Sequence, residues 1–385
     1  MSKHDFPTEE FADRLSRVRR AIAKQGLDWL LVFHPVSIHW LSGSDAKSYQ
    51  SFQCLFLSAE ERPLVILTRA GERAEFEQDS LVDEVRTWGG AEPEDPIEAF
   101  SHLAETLSLK GSQVGMEVPA YYLHPHHYLR IKTMLGEALI QEPSNLIHDL
   151  KLVKSPRELA LIRRASTIAD TAMEAFASAL REGRSELEVC GAVYHVLLTA
   201  GSGLPASTLN LVSGERAGFS HGGPTERILR QGDFGNVEFG AAYRRYTTTI
   251  GRQFSLGRPG GRLNEVYAVV REACDACLAE IRAGVPAVRP HEAAKRVIAE
   301  AGLDRHRVHT TGYGIAPGFP PSWGEPIHMF GGSTYVLEAG MVLSVEPPVF
   351  IPKEQLGARI IDNVLVTETG FELLSRYPRE IITVD

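Results

Sequence analysis

The sequence predicts an α+β protein of two domains, a mixed α/β domain over residues 1–150 and an antiparallel-sheet domain over residues 151–385. Three observations favour this class. Helical and strand periodicities alternate through the first third of the chain. A strong helix-start signal follows that third, and the order helix, helix, hairpin then occurs twice. The 385 residues, 43% of them hydrophobic, can build more than one core.

The first domain is predicted from its alternating elements. Residues 10–25 carry apolar side chains at helical spacing, and residues 28–33 read as a buried strand. Strand patterns return at residues 52–57 and 64–68, and a helix pattern covers about residues 97–108. This alternation predicts a mixed sheet covered by helices.

Two capping boxes mark the start of the second domain. Ser155 precedes Pro156, and Glu158 follows the serine by three residues, so that each side chain can bond the other residue's backbone N–H. Ser185 and Glu188 repeat the pattern. The sequence therefore predicts two successive helices, one behind each box.

A predicted hairpin carries the first candidate catalytic residue. Residues 233–239 and 246–254 have strand periodicity and are joined by a tight connection. Glu238 lies inside the first strand between apolar neighbours, so its side chain points to the opposite face from theirs. It either reaches solvent or lines a polar pocket beside a partner.

Two more residues complete the candidate site. His221 lies in the loop before the hairpin, and Glu346 lies in an apolar strand predicted over residues 341–350. Charged residues are rarely buried in apolar strands unless they are paired, so the two acids could converge between the halves of the domain. From the residues alone, His221 could equally be an exposed loop residue. Together, His221, Glu238 and Glu346 are the kinds of group that acid–base catalysis needs.

The second half of this domain repeats the pattern of the first. Helices are predicted over residues 264–281 and 291–301, followed by the strand that contains Glu346 and another over residues 359–366. Two similar halves would close an antiparallel sheet from one side.

Composition excludes several classes of partner. The net charge is −9 and no basic stretch stands out, which argues against nucleic acid. Neither a signal-peptide core nor a membrane-spanning run is present in the sequence, so a cytoplasmic protein without a membrane partner is expected. Four irregularly spaced cysteines fit a reducing compartment. Cys274 and Cys277 could form a redox pair, but their helical context favours buried small hydrophobes.

The same segments resemble the "pita-bread" family of creatinases, prolidases, aminopeptidases P and methionine aminopeptidases. The resemblance covers most of the chain and implies a creatinase-like N-terminal domain and a pita-bread catalytic domain. Family members with two metal ions hold them with five ligands. The matching positions here are Glu238, Thr249, Tyr313, Glu346 and Ile361. Three of these residues do not suit a divalent cation, so the resemblance implies that no metal or other cofactor is bound.

The resemblance also implies a set of substrate contacts. His309 and Tyr313 match pocket-lining positions of the family. The Gly-Tyr…Pro-Pro-x-Trp-Gly-Glu stretch of residues 312–325 is similar to one in ectoine hydrolases, which adds Trp323 and Glu325. Its prolines and glycines predict an irregular loop. Tyr313 could instead pack with its hydroxyl bonded.

A polar loop over residues 42–53 matches the region where the family often presents groups to the active site of a partner subunit. Lys47 and Tyr49 are its candidate substrate contacts. The alternative is a solvated loop in which Tyr49 packs against its own domain. If the loop does complete a neighbour's pocket, the protein is a homodimer.

The predicted function follows from the metal-independent members of the family, creatinase and ectoine hydrolase. The resemblance implies a hydrolase of a non-peptide C–N bond in a small cationic compound of guanidino, amidine or N-acylated amino-acid type. Glu238 and Glu346 would bind the substrate cation, and His221 would carry the proton between water and the leaving nitrogen. A Glu acting as covalent nucleophile is a variant.

Two other functions stay open at this point. One is a metal-dependent Xaa-Pro peptidase or lyase that uses Asp362 or His328 as a ligand, and the other is a non-catalytic binding module.

Overall fold

The computed structural model describes residues 2–47 and 49–384. Its contacts divide the chain into two compact units, Met1–Lys151 and Leu152–Asp385. Each unit has its own sheets and its own hydrophobic cores.

Unit 1 alternates helices with short strands. The helices are α1 Thr8–Lys24, α2 Pro35–Ser42, α3 Arg73–Asp79, α4 Pro96–Thr106, α5 Pro125–Leu135 and α6 Leu146–Lys151. The strands are β1 Trp29–Val32, β2 Cys54–Ser58, β3 Val65–Arg69, β4 Glu84–Trp88, β5 Val114–Met116 and β6 Leu139–Gln141.

The sheet of unit 1 is mixed, as the sequence predicts. Its strand order in the described part of the chain is β4-β3-β2-β1-β5-β6. β2 runs antiparallel to both β1 and β3, whereas β1 with β5, β5 with β6, and β3 with β4 are parallel. Successive residues of β1 belong to two different hydrophobic cores, because alternate side chains of a strand point to opposite faces.

Unit 2 contains two helix pairs and a large sheet. The helices are α7 Pro156–Ala179, α8 Glu186–Thr199, α9 Gly261–Ala279 and α10 Val288–Glu300. The strands are β7 Asn210–Ser213, β8 Phe234–Tyr243, β9 Tyr246–Leu256, β10 Gly312–Phe319, β11 Ser322–Met329, β12 Val342–Val345, β13 Val349–Ile351, β14 Leu356–Ala358, β15 Asp362–Val366, β16 Phe371–Leu373 and β17 Ile382–Val384.

The large sheet runs through the middle of unit 2. Its main path, within the described residues, has the order β16-β15-β12-β10-β9-β8-β7, with β11 paired to β10 and β17 paired to β9. One hydrophobic core lies between α7, α8 and the strands β7 to β9. A second core lies between α9, α10 and the strands from β11 onward. Each helix pair therefore covers one half of the sheet, as the repeated pattern predicts.

Both predicted capping boxes are present. The Ser155 hydroxyl accepts from the Glu158 backbone N–H at 3.2 Å, while the Glu158 carboxylate accepts from the Ser155 N–H at 2.7 Å. The Ser185 and Glu188 box has the same two bonds at 3.2 and 2.7 Å. These reciprocal bonds satisfy N–H groups that have no partner inside the helix.

The hairpin is longer than the sequence predicts. β8 and β9 stay paired as far as Tyr243 and Tyr246. Arg244 and Arg245 alone form the turn, with φ of 52° and 70°. Two positive φ values let a two-residue turn follow the twist of the strands. The predicted six-residue connection is therefore wrong.

Two other predictions about local structure are also wrong. Residues 312–325, predicted to be an irregular loop, form most of the hairpin of β10 and β11, whose register shifts absorb the prolines. The predicted strand over residues 341–350 is divided into β12 and β13, because Pro347 and Pro348 cannot donate to a ladder. Glu346 thus lies just after a strand and not within one.

The described part of the chain includes no helix that is both long and apolar enough to cross a membrane.

Candidate active site

The site is built around Glu238, which lies halfway along β8 in the large sheet of unit 2. Its carboxylate is buried and accepts a 3.1 Å hydrogen bond from the Asn210 side chain on neighbouring β7. The same oxygen accepts from the Arg359 guanidinium. Arg359 follows β14 and is buried, with its guanidinium carbon 5.2 Å from the centre of the Phe350 ring. Glu238 is therefore a buried carboxylate with a fixed cationic partner.

Glu346 is the second buried acid. Its backbone N–H donates to the Thr311 carbonyl at 2.8 Å, which fixes the residue just beyond β12. One of its carboxylate oxygens has no hydrogen-bond partner among the described residues. The pKa of Glu346 is raised because the group is buried and because the negative charge of Glu238 is close, while Arg359 opposes the shift. A carboxyl in this setting can hold a proton near neutral pH.

Two imidazoles lie beside these acids. The ring centres of His221 and His309 are 5.4 Å apart, and His309 Nδ1 is 4.0 Å from a Glu346 oxygen. His309 Nδ1 is also 3.0 Å from the Thr310 carbonyl, which can only accept, so this nitrogen carries the proton. His309 Nε2 is then free to accept a hydrogen bond whenever the ring is neutral.

Both imidazoles favour the neutral form. The pKa of His309 is lowered, first by burial, and the bond to Thr310 opposes this. His221 is more exposed, but its pKa is also lowered because neighbouring atoms exclude part of its water and Arg359 is positively charged. We call His221, Glu238, His309 and Glu346 the acid–imidazole cluster.

Tyr313 and Trp323 form a wall next to the cluster. The Trp323 indole N–H donates to the Tyr313 hydroxyl at 3.1 Å, so the phenol proton is free to point elsewhere. The pKa of Tyr313 is raised by burial and by the charges of Glu346 and Glu238. A Cβ on Gly240 of β8 would lie 2.9 Å from the Trp323 ring, so only glycine lets the indole lie against this strand.

Glu325, a predicted substrate contact, already has a partner. Both of its oxygens accept from the Lys154 ammonium, at 2.8 and 2.7 Å, and both side chains are fully buried. Glu325 is therefore a neutralised carboxylate in the interior of unit 2.

The predicted contacts of unit 1 have different environments. Lys47 is exposed. Tyr49 is buried, and its ring lies 5.9 Å from that of Tyr122 in an edge-to-face arrangement. Tyr49 thus packs against its own domain, which is the alternative to a substrate contact. Ser48, also in the predicted polar loop, lies outside the described residues.

Three residues of the site were not given a role by the sequence. Asn210 and Arg359 bond Glu238, and Lys154 bonds Glu325. The signal for Arg359 is a charged residue between two apolar runs, which usually needs a buried partner. Asn210 and Lys154 have no comparable signal, because their partners depend on strand pairing and on folding distant in sequence.

Comparison with known proteins identifies a family for both units. Residues 160–368 match the model described as Metallopeptidase family M24, and residues 14–153 match the one described as Creatinase/Prolidase N-terminal domain. The probable dipeptidase PepE of Mycobacterium tuberculosis is 30% identical over 100% of this chain and 99% of that protein. The Xaa-Pro dipeptidase of Pyrococcus furiosus is 27% identical over 96% and 99%.

Solved structures of similar proteins have the same fold over nearly the whole chain. The crystal structure of dipeptidase PepE from Mycobacterium ulcerans has a TM-score of 0.85 at 27% identity and covers 98% of this chain and 99% of its own. The Xaa-Pro dipeptidase from Bacillus anthracis has a TM-score of 0.83 at 26% identity, over 97% and 100%. The predicted fold class, a creatinase-like domain followed by a pita-bread domain, is confirmed.

The predicted function is wrong. The relatives are named as dipeptidases and Xaa-Pro dipeptidases, and the matching family is one of metallopeptidases. A creatinase-like or ectoine hydrolase-like enzyme, metal-independent and cleaving a non-peptide C–N bond of a small cation, does not agree with these relatives. The peptidase alternative does.

The residues of this chain do not fit the two-metal centre that the family implies. Thr249 is bonded to Asn363 at 2.6 and 2.9 Å, and Ile361 packs on Gly251, where a Cβ would lie 2.7 Å from it. With Tyr313, these positions supply no carboxylate or imidazole. No three His, Cys, Asp or Glu side chains among residues 2–47 and 49–384 are grouped to hold a metal ion.

Asp362 and His328, the other metal ligands that the sequence suggests, do not complete a metal site. Both oxygens of Asp362 are bonded, one to Arg252 at 2.8 Å and one to Arg379 at 2.6 Å. His328 is exposed on β11, with its ring 6.0 Å from that of Tyr313.

Proposed function

The chain belongs to metallopeptidase family M24, and from this premise we propose that it is a hydrolase that cleaves the peptide bond of dipeptide-sized substrates. Residues 151–385 would be its catalytic domain and residues 1–150 its second domain. The observation that carries the proposal is the acid–imidazole cluster, which lies within the family's catalytic segment and joins two buried acids to two neutral imidazoles. The resemblance to this family that the sequence indicates is confirmed.

The groups of the cluster differ in their tendency to hold a proton. His221 is neutral and partly exposed, so it can take a proton from water. Glu346 has a raised pKa and can give a proton to the leaving amine. Such a pair of separated pKa values is what an acid and a base in one site require.

The reaction can be written with these groups alone. Water loses a proton to His221 and its oxygen adds to the peptide carbon, forming a tetrahedral oxyanion. The C–N bond then breaks as Glu346 transfers its proton to the nitrogen, giving a free carboxylic acid and a free amine. Finally the proton on His221 returns to Glu346 through solvent, which restores both groups.

Four side chains would stabilise and position the substrate. Arg359 supplies positive charge next to Glu238, which favours the developing oxyanion. The Tyr313 phenol accepts from Trp323 and bonds Glu346, and its proton could instead be donated to an oxygen of a bound substrate. His309, Tyr313 and Trp323 remain the proposed contacts, whereas Glu325 is bonded to Lys154 and is not proposed as one.

We also propose a homodimer in which the loop of residues 42–53, with exposed Lys47, completes the catalytic site of the partner subunit. Mixing Lys47→Ala with His221→Asn tests this. Half of the dimers are then mixed and have one complete site, so about a quarter of the wild-type activity should return. A mixture no more active than its components, or a fully active monomer in sedimentation, contradicts the homodimer.

The main experiment is a panel of dipeptides, half of them Xaa-Pro, incubated with purified protein and analysed for free amino acids. The panel is run with and without Mn²⁺, because the family is one of metallopeptidases. We expect His221→Asn to reduce kcat by about 10²–10⁴-fold, as for loss of a general base. His195→Asn, on the exposed side of α8, is the matched control and should match wild type.

The same panel can overturn the proposal. Wild-type protein that cleaves no dipeptide under either condition is not a dipeptidase. If calorimetry then shows dipeptide binding without turnover, the binding-module alternative is correct instead.

A further inference from the structure

The loop that carries His221 is attached to the rest of unit 2 through one buried carboxylate. Glu186 is the first residue of α8 and is completely buried. One of its oxygens accepts from the Ser213 hydroxyl at 2.6 Å. The other accepts from Arg216 at 2.6 Å and from the Thr225 N–H and hydroxyl at 2.9 and 2.8 Å. These partners lie on both sides of His221 in the chain.

Further bonds hold the same loop. Arg216 also donates to the Gly223 carbonyl at 2.6 Å, two residues after His221. The Leu211 N–H of β7 donates to the Gly222 carbonyl at 2.9 Å. A Cβ at Gly222 would lie 2.3 Å from the Val212 side chain, so the loop passes β7 as closely as a backbone can.

Glu186 is not needed to cap its own helix. The Ser185 and Glu188 box performs that role, with the Glu188 side chain bonded to the Ser185 N–H at 2.7 Å. Glu188 is exposed, only two residues away on the same helix, and its carboxylate accepts from the N–H and the hydroxyl of Ser185. The two glutamates therefore differ in function although they share a helix end.

We propose that Glu186 is a positioning residue for His221, holding the loop of residues 213–225 against α8 and β7 so that the imidazole faces Glu238 and His309. A buried carboxylate that accepts four hydrogen bonds, one of them from a guanidinium, is a stiff attachment because breaking it leaves unpaired charge in the interior. The inference rests on the role proposed above for His221 in hydrolysis.

The test compares Glu186→Gln with Glu188→Gln. In the first variant the loop loses its charged attachment, so kcat should fall about 10–100-fold while KM changes less than about threefold. In the second the loop is untouched, so both constants should equal those of wild type, with only Tm lowered. Thr225→Val removes the hydroxyl that donates to Glu186, so it should also lower kcat. Thr225→Ser keeps this hydroxyl and should have the kcat of wild type.

A second readout does not depend on turnover. NMR of labelled histidine can follow the pKa of His221, which is lowered in the wild type because the ring is partly buried and close to Arg359. Freed by Glu186→Gln, the ring should gain water and its pKa should rise toward 6.5. Arg359, Glu238 and His309, which face the ring, are unchanged in the variant. His328, on another element, is the internal control and should not move.

The two readouts separate the possible failures. If wild-type protein cleaves no dipeptide but Glu186→Gln still shifts the His221 pKa, the proposed function is wrong and the positioning role stands. If Glu186→Gln does not fold, the pKa of His221 in Thr225→Val, measured by the same NMR experiment, tests the positioning role instead. The inference is overturned if folded variants keep both kcat and the His221 pKa within error of wild type, or if Glu188→Gln has the same effect.

Discussion

Replacing Arg359 with Met should destabilise unit 2 strongly, and more so at alkaline pH. Arg359 is the cationic partner of Glu238, and the side chains are only 2% and 7% exposed. Met keeps most of the length and apolar surface but removes the charge. The variant is left with two buried acids, Glu238 and Glu346, and no cation bonded to either among the described residues.

The expected size follows from the burial of the pair. Removing one partner of a buried ion pair typically costs about 3–5 kcal/mol, because the other charge stays desolvated. The contact of Arg359 with the Phe350 ring adds up to about 1 kcal/mol. The matched control is Arg163→Met, which breaks an ion pair with Glu372 whose partners are 46% and 43% exposed. Such a pair is worth at most about 1 kcal/mol.

The pH dependence has a definite sign. Arg359 lowers the pKa of Glu346, so its loss raises that pKa further above the ordinary 4.5 of the unfolded chain. A carboxyl with a raised pKa lowers stability as pH rises from its unfolded pKa to its folded pKa, because the unfolded chain releases a proton that the folded state retains. Wild-type Glu346 has a folded pKa of about 8, so wild type and variant lose stability alike below that pH. The deficit of Arg359→Met should therefore grow above about pH 8, where only the folded variant still retains this proton.

Urea unfolding followed by ¹⁹F NMR of fluorotryptophan-labelled protein can measure the free energy of unfolding of unit 2 alone. Trp323 is the only tryptophan of residues 152–385, so its signal reports that unit. A loss in Arg359→Met no greater than in Arg163→Met would refute the reasoning, as would a deficit no larger at about pH 9.5 than at about pH 7.

Three further outcomes are expected. Burial raises the pKa of Glu117 to about 7, so the stability of unit 1 should fall by about 3 kcal/mol as pH rises from 4 to 8; urea titrations of Glu117→Gln should lack most of this slope. Gly191→Ala, within α8 and with no atom near its added Cβ, should stabilise by about 0.5–1 kcal/mol. Gly235→Ala should cost at least about 2 kcal/mol in the same assay, because its Cβ would lie 1.9 Å from the Val212 carbonyl.

The parts of the fold that could be predicted are those encoded locally. The capping boxes at Ser155 and Ser185 depend on residues three apart, and both are present. The errors arose where tertiary pairing overrides local signals. Prolines and glycines of residues 312–325 indicate a loop, yet β10 finds partners in β11, β12 and β9 and remains a strand. Pairing of this kind has no signature within the segment itself.

The candidate site was predictable to the level of residue type and no further. Glu238, Glu346 and His221 stand out because acids in apolar segments need partners, and the structure brings them to one place. Which cation neutralises Glu238 depends on where Arg359 lies after folding, 121 residues away in sequence. The prediction of the substrate class is wrong because the residues at the metal-ligand positions describe only the donor set and not the bond that is cleaved.

Thr249 and Ile361, which match two metal-ligand positions of the family, are integrated into the sheet of unit 2. The Thr249 backbone and hydroxyl both bond Asn363 on β15. The Ile361 side chain fills the space above Gly251, and the two residues exchange backbone bonds at 3.0 and 3.2 Å. An acid placed at Ile361 alone would be buried close to Glu238, whose partner Arg359 is already engaged by that carboxylate. Restoring one ligand at a time would therefore destabilise the protein before a cation could bind.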